Sequence, residues 1–200
     1  MSDNFLSPQE SCSSGRWRIL DEAERLFRAS GYNTVTMRDI AREVGIRQAS
    51  LYYHFPSKEQ LFMAVTERML ERHRRGLQQA IYHAAGNLRS QLHAAGDWFL
   101  SQPPIYFLSM VHTDMPSLGE ENIKRLSQIA HQSIFEPLGQ IFALASKRGE
   151  IRSSRPELLA GFFLSVMEGI PYATTWEGAA PKEVMVNEMI SVLLDGLKPE

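Results

Sequence analysis

Residues 34–62 read T-V-T-M-R-D-I-A-R-E-V-G-I-R-Q-A-S-L-Y-Y-H-F-P-S-K-E-Q-L-F. Two short helices with a tight turn between them, then the start of a third, account for every position. Thr36 followed three residues on by Asp39 has the spacing of a capping box, with Asp in place of Glu or Gln. Met37, Ile40, Ala41 and Val44 recur at i, i+3, i+4 and i+7, which is one apolar face of a helix. Gly45 supplies the turn, because a residue without Cβ takes positive φ cheaply. Ile46 is the apolar plug beneath it. The second helix runs over about 48–54, with Leu51 and Phe55 pointing to the core. Pro56 ends it, since proline disfavours α geometry in the residue before it. Ser57 with Gln60 opens the next helix in the same way as Thr36 with Asp39.

Helix, glycine-containing turn, helix is the helix-turn-helix pattern. In that unit the second helix enters the major groove of DNA and its early residues meet base edges. The outward positions here are Gln48, Ala49, Ser50, Tyr52, Tyr53 and His54. They carry donors and no acid, which suits a polyanion.

The run from Thr36 to Phe62, above all L-Y-Y-H-F-P-S-K-E-Q-L-F, closely resembles the DNA-binding domain of TetR-family transcriptional regulators. The likeness extends back through Ile19, Ala23, Leu26, Phe27, Gly31 and Tyr32 and covers about a quarter of the chain. The resemblance implies that Arg38 and Gln48 reach base edges. It implies that Tyr52, Tyr53 and His54 touch phosphate or thymine methyl groups. Lys58 and the backbone at Thr36 stand at helix N-termini, where phosphate is favoured, and Arg47 faces phosphate or a base. It further implies an all-α chain with a small-molecule effector in its second domain. The last two helices of each subunit would form a four-helix bundle in a homodimer on a palindromic operator. Repression is the expected sense, and the cytoplasm the expected compartment.

Charge agrees with this division. Residues 15–75 hold 12 Lys and Arg against 8 Asp and Glu, a net of +4, while residues 76–200 carry −4 and residues 1–14 carry −2. Positive potential therefore lies where the helix-turn-helix is. The single Cys12 allows no intrachain disulfide, as in a reducing compartment. The first ten residues lack the basic and apolar regions of a signal peptide. The longest apolar run, Leu158 to Met167, is too short to span a bilayer, so no membrane partner is expected.

The remainder reads as helices. Residues 1–14 are Ser-rich and without periodicity, and are expected to be a disordered tail. A helix over about 16–30 ends at Gly31 and completes a helix-turn-helix domain over 15–62, with Leu20, Ala23, Phe27, Ile40, Val44, Leu51 and Phe55 as its core. A helix over about 57–84 is roughly 40 Å long at about 1.5 Å per residue. It links that domain to a ligand-binding and dimerisation domain over 63–200. There, helices are expected over about 88–101, 105–112 (apolar on nearly every side, hence buried), 118–148 (kinked at Pro137), 155–175 and 181–197. Asp114 to Gly119 is expected to be a loop. The total is about nine helices and no strand.

An effector pocket should be mostly apolar with a few polar groups. Its candidates are Trp98, Tyr106, Met110, His131, Phe135, Met167, Tyr172 and Trp176. Phe163, Val166, Met167, Ile190, Leu193 and Leu194 are the candidates for the dimer interface. No cofactor is expected, and no metal, since the six histidines form no H-x-x-x-H or Cys/His cluster. An enzyme would need a phosphate loop, G-x-S-x-G or H-E-x-x-H, and none occurs.

Overall fold

Thr36 does cap the first short helix. In the computed structural model, which describes residues 8–84, 86–104 and 106–199, its hydroxyl accepts from the Asp39 N–H while Asp39 accepts from the Thr36 N–H. The helix so opened, α2 (Met37–Val44), follows α1 (Pro8–Thr34) and precedes α3 (Gln48–His54) and α4 (Lys58–His83). Gly45 ends α2 at φ 75°, the left-handed conformation expected of it.

Helix α1 begins well before residue 16. Residues 8–14 of the expected disordered tail are its first turns, and residues 1–7 lie outside the described residues. Proline costs nothing at the first position of a helix, where its missing N–H would have no partner, and Gln9 and Glu10 then continue it. At the other end Gly31 breaks the helix at φ 75° and ψ 159°, and one more helical turn follows to Thr34.

Helices α5 (Leu88–Ser101), α6 (Phe107–Ser109), α7 (Glu120–Ala130), α8 (Glu136–Lys147), α9 (Pro156–Ala173) and α10 (Lys182–Gly196) complete the chain. A π turn at His131–Phe135 joins α7 to α8 without interruption, so among the described residues the α-helices number nine if these two count as one. Among the described residues there is no strand. The π turn is the form taken by the expected kink. Pro137 has no N–H for the Ser133 carbonyl four residues back, and the chain widens one turn earlier, the Glu136 N–H reaching the His131 carbonyl.

The 105–112 segment is not buried throughout. Met110 is, but Tyr106 and Phe107 are half-buried and Ser109 and His112 are exposed. Apolar composition on every side produces burial only where neighbours surround the segment, and a three-residue helix running into a π turn at Met110–Asp114 offers neighbours one side. The expected loop after it is a 3-10 turn, Met115–Ser117.

Two compact units result. One holds the described residues up to Met69 together with Ser109–Leu126, the other Leu70–Leu108 and Ser127 onward. The first therefore includes three described stretches outside the expected 15–62, namely 8–14, 63–69 and 109–126. Its core takes Ile19, Leu20, Ala23 and Phe27 from α1, Met37, Ile40, Ala41 and Val44 from α2, Leu51 from α3, and Leu61 and Phe62 from α4. Fully burying one such side chain contributes about 1.5–3 kcal/mol. Phe62 packs edge-on to Phe27 at 5.3 Å and against Tyr32 at 4.7 Å.

In the second unit α8 packs on α9, and α10 on α5 and α9. Two glycines permit close approach. A Cβ on Gly76 would fall 2.0 Å from the Trp98 ring, and one on Gly96 2.7 Å from Val186.

Candidate functional site

Helix α3 presents one face to the core, through Leu51, and the others to solvent. Arg47, Gln48, Ala49, Ser50, Tyr52 and Tyr53 are exposed, Tyr53 by 83% and Tyr52 by 44%, and His54 is half-buried. The Tyr53 and His54 rings meet edge to face at 5.5 Å. Tyr52 therefore does not pack inward. A polar, aromatic ridge of these residues stands free of the core.

The electrostatics of this ridge come from what surrounds it. Asp39 and Glu43 on α2 and Glu59 on α4 are the nearest acids in sequence, and Glu59 accepts from the Gly119 N–H and the Asn122 side chain. Asp39 is bound by Thr36 and paired with Arg42 at 3.0 Å. The Thr36 hydroxyl first, then its N–H, hold the Asp39 carboxyl below its ordinary range. Glu43 is paired with Arg25 at 2.9 Å. Arg38 and Arg47, by contrast, are exposed and make no ion pair among the described residues. The acids are thus satisfied within the fold and two guanidinium groups are left for a partner. That arrangement attracts a polyanion.

Two residues expected at phosphate have partners within the fold. The Lys58 ammonium donates to the Tyr32 and Val35 carbonyls at 2.9 and 3.1 Å and lies 4.2 Å above the Tyr32 ring. The Thr36 N–H is taken up by Asp39. Sequence spacing places a residue at a helix start, and only the folded neighbours show which of its donors are already engaged: two of the three on the Lys58 ammonium and the Thr36 N–H. Arg16 and Arg18 behave similarly: one lies 4.4 Å over the Phe55 ring, the other donates to the Val44 carbonyl at 2.9 Å. Both buttress α2 and α3 from α1, a role that only the fold reveals.

The eight residues expected to line an effector pocket have different settings among the described residues. Trp98 lies over Gly76 and donates to His73 Nδ1 at 3.3 Å, so it is packing. Met110 belongs to the first unit. His131, Tyr172 and Trp176 are exposed. Tyr106 meets Tyr172 at 6.2 Å, and Phe135 meets Phe107 at 5.5 Å, at the surface. Of the eight, Met167 alone lines a cleft of about 60 Å³, whose walls include Phe99, Leu164, Pro171 and Glu168. The Glu168 carboxylate accepts from the Phe107 N–H at 2.7 Å.

Most of the residues expected at a dimer interface face the chain's own core. Phe163, Met167, Ile190 and Leu193 are buried within the chain, and Val166 and Leu194 are half-buried. The exposed side of α9 carries Leu158, Phe162, Ser165, Gly169 and Tyr172, at i, i+4, i+7, i+11 and i+14, and α10 exposes Val192. Among the described residues no helix is long and apolar enough to cross a membrane.

Comparison with known proteins bears on the first unit most directly. Residues 19–65 match the family model for bacterial regulatory proteins of the tetR family. Over 45 residues the chain is 49% identical to the biofilm operon icaADBC HTH-type negative transcriptional regulator IcaR of Staphylococcus aureus. That match covers 22% of this chain and 24% of the relative's length. Among solved structures, a tetR-family regulatory protein from Rhodococcus RHA1 superposes with a TM-score of 0.74 at 15% identity, over 93% of this chain and 98% of that one. AibR, solved with isovaleryl coenzyme A and operator DNA, superposes with a TM-score of 0.73 at 22% identity, over 90% and 98%. At these identities the two structures share the fold.

Proposed function

We propose that this chain is a member of the tetR family of bacterial regulatory proteins, whose model its residues 19–65 match, and that it binds an operator as a homodimer and represses transcription until a small, mostly apolar effector releases it. The observation that carries the reading is the exposed ridge of α3 with Arg38 and Arg47 beside it, unpaired, while the neighbouring acids are neutralised within the fold. Gln48 is suited to the N6 and N7 atoms of adenine and Arg38 to the O6 and N7 atoms of guanine, each contact worth about 1–3 kcal/mol of discrimination. Tyr53 and Arg47 supply contacts to phosphate.

A single recognition helix reads few base pairs, and two half-sites about 34–36 Å apart require two copies. The surface for pairing is the exposed side of α9 with Val192 of α10, rather than the buried face read from the sequence. Such a patch can meet its own copy about a two-fold axis. The negative sense is supported by the IcaR likeness in the DNA-reading segment. A protein that works on DNA in this way does so in the cytoplasm.

The effector reading is supported by the cleft beside Met167 and by the AibR complex, in which the same fold holds both a small molecule and DNA. Helix α4 is shared by both units, so a change in one is carried along a continuous helix to the other. Such coupling amounts to about 1–3 kcal/mol and is reciprocal: DNA weakens effector binding by the same factor.

The test begins with selection of DNA fragments by the purified protein. Gln48→Ala and Tyr53→Ala should each lose about tenfold or more in affinity for the selected site while remaining folded and dimeric. Retained footprinting by either variant removes that residue from the reading surface. Lipophilic compounds that raise Tm should lower operator affinity in parallel. Stabilisation without any change in DNA binding counts against release by an effector.

A further inference from the structure

The stretch Ser109–Leu126 groups with the first four helices although it lies far from them in sequence. Its polar contacts give the reason. Where Gly31 breaks α1, the Tyr32 N–H donates to Asp114 Oδ1 at 3.0 Å. The neighbouring Asn33 side chain donates to the Thr113 carbonyl at 2.9 Å. The Tyr32 carbonyl is held by Lys58, which also holds the carbonyl of Val35, the residue preceding the cap of α2. Both backbone groups of Tyr32 are therefore committed, one to Asp114 and one to Lys58. A second clasp lies further along the same stretch. Glu59 Oε1 accepts from the Gly119 N–H and from the Asn122 side chain, each at 2.8 Å, and Arg125 pairs with Glu67 at 2.7 Å.

We propose that Asp114 is a positioning residue for DNA reading: its carboxylate clamps the Tyr32 N–H and so fixes the corner between α1 and α2 from which α3 is presented. The inference rests on the DNA-binding reading above. It makes the DNA-binding unit a composite, completed by a segment from the middle of the chain. Gly31 is at positive φ, and a Cβ there would lie 3.5 Å from Asp114 Oδ1, so Asp114 is seated directly on the break. What the corner needs is an acceptor oxygen rather than a charge. Burial pushes the Asp114 carboxyl up, against the opposing pull of the Tyr32 N–H and Lys58, so the neutral amide of Asn is a fitting replacement.

The experiment compares the full-length protein with Asp114→Ala and Asp114→Asn, using a DNA site selected from a random pool by the unaltered protein. Binding is read by fluorescence anisotropy and backbone protection by amide exchange. Asp114→Ala should bind about tenfold more weakly, within the range of typical coupling effects. Its peptides spanning the Tyr32 amide should exchange faster, while those of α9 and α10 keep their protection. Asp114→Asn should behave as the unaltered protein in both. Unchanged DNA affinity in Asp114→Ala overturns the proposal, and so does an Asp114→Asn variant as weak as Asp114→Ala. If the unaltered protein enriches no DNA, the DNA-binding reading itself falls. Should Asp114→Ala not fold, Asn33→Ala takes its place; about fivefold weaker binding supports the clamp and unaltered binding overturns it.

Discussion

Phe162 and Phe163 are adjacent on α9, as Leu51 and Tyr52 are on α3, yet only the second pair could be sorted into inside and outside from the sequence. Helix α3 is two turns long, touches the core through Leu51, and leaves every other position outward. Helix α9 carries apolar residues on more than one side, and its buried residues include both Phe163 and Leu164. Where one stripe is apolar, periodicity names the inward face. Where two stripes are apolar, it says only that both are covered, and not by what. Phe163 is fully buried within the chain while Phe162 remains 49% exposed, and Val192 on α10 is 73% exposed. The exposed pair is what a partner copy would cover.

The comparison breaks most sharply under charge. Phe163→Asp should unfold the second unit, at a cost of about 4 kcal/mol or more for a charge in the core, seen as loss of the cooperative melt. Phe162→Asp should stay within about 1 kcal/mol of the unaltered protein in the isolated chain but run as a monomer in light scattering and bind DNA weakly. An intact dimer from Phe162→Asp would place the interface elsewhere. Double replacement at Leu193 and Leu194 would not make the same test, because Leu193 is buried and its loss damages the fold first.

A smaller effect is expected at Gly76, where a methyl group would meet the Trp98 ring. Gly76→Ala should cost about 1–3 kcal/mol from overpacking, despite alanine's better helix propensity, and denaturant titration would measure it. A stabilised variant would show that Trp98 can turn aside, returning it to the list of pocket residues.

The smallest expected effect is in acid, at the start of α2. The Asp39 carboxyl is held below its ordinary value of 3.8, chiefly by the Thr36 hydroxyl. Because its folded pKa is depressed, its contribution to stability is complete above that ordinary value and disappears as pH falls through the folded one. Thr36→Ala should flatten this part of the pH dependence below about pH 4, in thermal melts taken across that range. An unchanged profile would mean that the N–H of residue 36 and Arg42 sustain the depression without the hydroxyl.

Much of the DNA-reading unit was legible because its signals are local. The capping box at Thr36, the apolar stripe from Met37 to Val44, the glycine turn and the stop at Pro56 each act within a few residues. The commitments of Lys58, Arg16 and Arg18 were not legible, because their partners are carbonyls and rings brought near by folding. A long cationic side chain at the surface carries no mark in the sequence that separates a phosphate ligand from a backbone clasp. The setting of the pocket candidates was not legible for a related reason: an aromatic residue has the same spelling whether it packs, as Trp98 does, or lies open, as Trp176 does.

The sequence by itself therefore determined the two short helices α2 and α3, the turn chemistry between them and the outward face of α3, all of which depend on spacing along one chain. The tertiary structure decided which faces of α9 and α10 are left for a partner, which cations remain unpaired, and that residues 109–126 complete the first unit. Those outcomes depend on distances between residues remote in sequence. Asp114 and Tyr32 are 82 positions apart, and no periodicity reaches that far.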